Sequence, residues 1–107
     1  MEFEKTFGET VKRLREDRNL PLREVAAALK IDTSMLGKIE KNSRKPTKQI
    51  IEKFAAFFNV SEKELTIAFI SDSVAYQVMD EKDYSSEVLK VAEQKVEYLK
   101  TKKNPDQ

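Results

Sequence analysis

The strongest constraint on this 107-residue chain is the stretch at positions 22–45, LREVAAALKIDTSMLGKIEKNSRK. Leu22, Val25, Ala26 and Leu29 recur at helical spacing, so the first part has one face to bury. Lys30, Ile31 and Asp32 interrupt that pattern. Asp32 stands where an N-cap carboxylate accepts a backbone N–H, and a second short helix is expected to follow. Leu36 and Ile39 are its inward residues. The other face shows Thr33, Ser34, Gly37, Lys38 and Lys41, which are small, polar or basic, and the basic loop of Arg44 and Lys45 comes next.

Two short helices crossing through a small residue, the second with a polar outer face, are the parts of a helix-turn-helix. Ala26 suits the crossing, since two helix axes approach closely only where a side chain is small. On these residues LREVAAALKIDTSMLGKIEKNSRKPT resembles the Cro and phage-repressor type of regulator, the XRE family. The resemblance extends back through FGETVKRLREDRNL and forward through IIEKFAAFFNVSEKEL, covering roughly residues 7–65. It implies an all-α fold: a five-helix repressor-like bundle over residues 1–68, with a C-terminal helical extension over residues 69–107.

Composition narrows the chemistry. Hydrophobic residues make up 39% and charged residues 36%, as in a small helical bundle with a charged surface. Two glycines and three prolines are too few for a turn-rich β architecture. Cysteine and histidine are absent, which excludes disulfides, Cys or His zinc ligands and catalysis by either side chain. With no long apolar run, a cytoplasmic chain without a membrane span is expected. The net charge of +1 conceals a division. Residues 1–58 hold 13 Lys/Arg against 9 Asp/Glu, whereas residues 59–107 hold 7 against 10. The basic excess therefore lies with the helix-turn-helix, where a polyanion would be met.

Along the chain, Phe7, Val11 and Leu14 predict a first helix over residues 3–17, with Thr6 or Thr10 at its start. Pro21 then sits at or just before the next helix. Asn42 suits a left-handed residue ending the second helix of the motif. Thr47 is placed to cap a fourth helix, whose Ile50 or Ile51, Phe54, Phe57 and Phe58 predict a core stripe. Ser61 with Glu64 reads as a capping box opening a fifth helix that buries Leu65. Ser71, Asp72 and Ser73 are expected to break the apolar run of residues 66–79, because such side chains cap more readily than they extend. Asp80 to Asp83 reads as a turn or a helix end, its acidic side chains solvated, with no metal site expected. A last helix over residues 84–102 carries Leu89, Ala92, Val96 and Leu99, widened by Val88, Val91 and Tyr98, and residues 104–107 are expected to fray.

A helix as wide as the major groove can set its outward side chains against base edges. The resemblance implies that Thr33, Ser34 and Lys38 of a recognition helix over about residues 33–41 read bases, with Gly37 beside them. Lys41, Arg44, Lys45 and Lys48 form a basic edge suited to phosphates. Family members usually carry glutamine at the position of Leu22, where it meets a phosphate; leucine cannot, and Arg23 next to it is a candidate substitute. The resemblance also implies a structural ion pair between Arg15 and Glu40, and a buried Glu40 would need such a partner.

These readings converge on a sequence-specific double-stranded DNA-binding regulator, with no cofactor and no enzyme activity. The apolar surface of residues 66–102 predicts a homodimer. The alternative is an antitoxin or adaptor whose C-terminal helices bind another protein. The tail SDSVAYQVMDEKDYSSEVLKVAEQKVEYL loosely resembles regulators that accompany DNA-modification genes.

Overall fold

The computed structural model describes residues 6–103. They form six α-helices: α1 (Phe7–Asp17), α2 (Leu22–Leu29), α3 (Thr33–Glu40), α4 (Lys48–Phe58), α5 (Glu62–Val78) and α6 (Ser85–Lys103). No strand occurs among the described residues. The part of the expected first helix that includes Phe3, and the expected frayed residues 104–107, lie outside the described residues. The chain divides into two compact units between Asp72 and Ser73, a boundary that falls within α5.

In the first unit α2 packs on α3 and α4, and α1 packs on α3. Phe7, Val11, Val25, Ala26, Leu29, Leu36, Ile39, Phe54 and Phe58 are all but sealed from solvent, with Leu65 behind them. Each of the larger side chains contributes about 1.5–3 kcal/mol by leaving water. Phe7 meets Phe54 and Phe69 edge-on, with ring centroids 6.0 and 5.8 Å apart, so the start of α1 is fixed against α4 and α5.

Three helices start on local capping side chains, and two end against side chains from elsewhere in the unit. Thr6 caps α1 by accepting the Glu9 N–H, Thr47 caps α4 by accepting that of Ile50, and Ser61 accepts that of Glu64. At the C-terminal ends, Arg18 donates to the Phe58 carbonyl at 2.6 Å and lies over the Phe58 ring. Lys53 donates to the Leu29 carbonyl. Asn19, Lys30, Asn42 and Asn59 have positive φ and turn the chain out of α1, α2, α3 and α4.

The structure departs from the expected local order in three places. Helix α5 runs unbroken through Ser71–Asp72–Ser73. Ser71 donates back to the Ala68 carbonyl, and the Asp72 carboxylate accepts the Phe7 N–H, so neither side chain competes with the helix at that point. Phe57 does not join the core: it is 38% exposed and sets its ring edge-on to Phe58. One residue from Phe58, it points about 100° around the helix, away from the buried stripe. Asp32 occupies the N-cap of α3, but its carboxylate makes no capping hydrogen bond. Its main chain starts the helix while its side chain stays in solvent.

Candidate nucleic-acid interface

Helix α3 is held on one side and bare on the other. Leu36 and Ile39 are at most 1% exposed, and Met35 packs half-buried against the core. The same register turns Thr33, Ser34 and Lys38 outward, where all three are exposed. A Cβ added to Gly37 would meet nothing within 4 Å, so no internal contact calls for glycine there.

The C-terminal end of α3 is fixed by a Schellman turn. Ser43 N–H donates to the Lys38 carbonyl at 2.9 Å and Asn42 N–H to that of Ile39 at 3.0 Å, with Asn42 at φ 63°. The Asn42 amide then reaches across to α1, accepting the Gly8 N–H and donating to the Thr6 hydroxyl. Gly8 is needed for this approach. A Cβ there would lie 2.5 Å from the Glu40 carbonyl oxygen and 2.6 Å from the Ile39 oxygen.

Deeper in the bundle, the Arg15 guanidinium grips Glu40 with two parallel bonds, Nε to Oε2 at 2.7 Å and Nη2 to Oε1 at 3.0 Å. Its third nitrogen, Nη1, donates to the Leu20 carbonyl. Both residues are buried. Donating these hydrogen bonds to Glu40 pushes the Arg15 pKa up, burial opposes the rise, and the Glu40 charge adds to it. The guanidinium therefore stays charged, and the pair ties the last residue of α3 to the middle of α1.

The basic edge continues from α3 into the loop and α4. Lys41, Arg44, Lys45 and Lys48 are all exposed, while buried Pro46 pins the loop between them. Among the described residues none of these four side chains, nor Lys38, is held in an ion pair. Arg23 is exposed in the first turn of α2 beside Leu22, and Leu22 itself packs against the core.

Sequence reading had marked Thr33, Ser34, Gly37, Lys38 and the cations, all of which lie on exposed or open positions of α3, its loop and the neighbouring helix starts. Thr6 and Asn42 were legible as helix-end residues, but the need for Gly8 and the bonds of the Asn42 side chain to Gly8 and Thr6, which anchor this surface from behind, were not. Gly8 did leave a signal, as one of two glycines in the chain and one placed inside a helical pattern.

A short helix with an open outer face, locked at its far end and followed by a basic loop, defines the DNA-binding class of helix-turn-helix folds. The chain matches the family model described as helix-turn-helix over residues 11–65. It belongs to that family, the XRE type of DNA-binding regulators. No curated protein matches the chain. Among the described residues no helix is long and apolar enough to cross a membrane.

Proposed function

We propose that the chain is a sequence-specific transcriptional regulator that binds an operator as a homodimer, with α3 in the major groove. The observation that carries this reading is the contrast between the two sides of α3. Its inner side is fixed by Leu36, Ile39 and the Glu40–Arg15 pair, while Thr33, Ser34, Gly37 and Lys38 face outward together. A helix so held presents side chains to base edges with little freedom left to lose on binding.

In this reading the Thr33 and Ser34 hydroxyls donate or accept at base edges, and the Thr33 methyl suits a thymine methyl. Lys38 reaches guanine O6 or N7. Lys41, Arg44, Lys45 and Lys48 neutralise phosphates, with Arg23 doing so from α2 in place of the usual glutamine. Gly37 lets the backbone approach the duplex. Two-fold symmetry would place paired α3 helices about 34–36 Å apart, one turn of DNA.

A gel-shift titration tests this, comparing DNA from upstream of the protein's own gene with random duplex at several salt concentrations. Tight binding to one fragment, weakening steeply with salt and lost on Lys38→Ala, is the expected result. Weak and equal binding to both fragments would overturn sequence-specific regulation. A second reading, an adaptor whose tail binds another protein, is favoured by the exposure of Ile67, Ile70, Val74, Tyr76 and Met79 in and after α5. A monomer in sedimentation would support it over the homodimer.

A further inference from the structure

The stripe along α6 that contains Val91 has a pattern of its own. Tyr84, Glu87, Val88, Val91, Lys95 and Tyr98 follow one another at helical spacing and so share one face. Val88, Val91 and Tyr98 are 41–58% exposed and Tyr84 is 60% exposed, so this face is uncovered in the single chain. Val88, Val91 and Ala92 make a shallow apolar patch on α6, flanked along the helix by Glu87 and Lys95.

The sequence around Val91 is self-complementary in charge. Glu87 lies four residues before Val91 and Lys95 four after it; Tyr84 and Tyr98 lie seven before and seven after. A patch that meets its own copy across a two-fold axis must be complementary to itself, each residue facing the one equally far on the other side.

We propose that α6 pairs antiparallel with α6 of a second copy of this chain, about a two-fold axis at Val91. Glu87 then faces Lys95 of the second copy twice over, and tyrosine faces tyrosine at both ends. A parallel pair would set Lys95 beside Lys95 and Glu87 beside Glu87, so charge selects the antiparallel arrangement. The proposal rests on the homodimer reading and adds its geometry.

Cross-linking tests the orientation, since the chain has no cysteine of its own. Tyr84→Cys and Tyr98→Cys chains, each altered at a well-exposed position, are treated with a short bis-maleimide separately and after co-incubation. Antiparallel pairing gives a cross-linked dimer in the mixture and little with either chain alone. Cross-linking of each chain with itself, at least as fast as in the mixture, would overturn the pairing in favour of a parallel one. A dimer in sedimentation with no cross-link in any sample would overturn it while leaving the homodimer standing. A monomer in sedimentation would overturn both. As a second measurement, Glu87→Lys should weaken the dimer about tenfold, and adding Lys95→Glu should restore it. Dimerisation unchanged by Glu87→Lys would count against the facing charges.

Discussion

The Asp72 carboxylate accepts the backbone N–H of Phe7 at 2.7 Å, joining residues 65 positions apart. It completes a first turn of α1 in which three successive N–H groups find acceptors on three different segments. Phe7 is served by Asp72 of α5, Gly8 by Asn42 after α3, and Glu9 by Thr6. A helix start ordinarily leaves such donors to solvent or to one capping residue. Here they hold together the beginning of α1, the end of α3 and the middle of α5.

Replacing Asp72 by Ala should therefore lower stability by about 1–2 kcal/mol, because a part-buried N–H at a helix N-terminus loses a charged acceptor. Asp72→Asn keeps an acceptor and should lose less. Urea unfolding followed by circular dichroism would rank the two. Equal midpoints for Asp72→Ala and the parent chain would remove Asp72 as a cap.

Glu40→Ala should cost more, about 3–5 kcal/mol, since it leaves the Arg15 guanidinium buried without its carboxylate. Changing the pair together, as Arg15→Met with Glu40→Leu, should recover much of that loss. The sign of the Arg15 shift adds a further expectation. Its pKa is raised in the fold, so the stability this contributes is fully present below the unfolded value and lost only as pH rises past the higher folded one. Stability traceable to Arg15 should stay flat from neutral to strongly alkaline pH. A loss around pH 9 specific to the parent chain and absent from the double variant would contradict this.

Two left-handed positions should respond in opposite ways to glycine. Lys30 has φ 58° between α2 and α3, and only its backbone is called for there. Lys30→Gly should stabilise the fold by about 1 kcal/mol by relieving the left-handed backbone. Asn42 has φ 63°, but its amide also bonds Gly8 and Thr6, so Asn42→Gly should destabilise. Thermal unfolding of both variants would show midpoints moving in opposite directions.

These cases mark the boundary of what the sequence makes legible. The apolar register of Leu22–Leu29 and of Leu36 and Ile39 fixes which faces turn inward, and that was readable because the period is local. The same register placed Thr33, Ser34 and Lys38 on the outer side of α3. Asn42 was readable as a left-handed residue, but its bonds to α1 were not, because they depend on how two helices meet in space. Asp72 looked like a helix breaker for the same reason. Its local preference is to cap, and the helix that it caps is α1, far away in sequence. Phe57 shows the converse: a continuous apolar run does not say which residue falls at the edge of the buried stripe.

The two glycines make a paired experiment on α1 and α3. Gly8→Ala should destabilise the bundle by about 2 kcal/mol or more, because the added methyl meets backbone oxygens of Glu40 and Ile39 that cannot move aside cheaply. Gly37→Ala meets nothing and should stabilise by about 1 kcal/mol through helix propensity. If α3 docks closely on a duplex, Gly37→Ala should also weaken operator binding while the fold becomes firmer. Unchanged affinity would show that glycine at this position is not needed for the approach.

The base-reading role proposed for Lys38 and the phosphate-binding role proposed for Lys45 should separate in salt titrations. Lys45→Ala should weaken binding to operator and random duplex alike and lower the slope of log affinity against log salt by about one. Lys38→Ala should act mainly on the operator, costing about 1–3 kcal/mol there and less on random DNA, so that the ratio between the two falls. The distinction follows from position. Lys38 projects from the outer face of α3, whereas Lys45 lies on the loop before buried Pro46, at the edge where a backbone would pass. Fluorescence anisotropy with both duplexes would measure the two effects in one series. An equal loss on both duplexes for Lys38→Ala would move that side chain from the bases to the phosphates and leave Thr33 and Ser34 to carry the sequence reading.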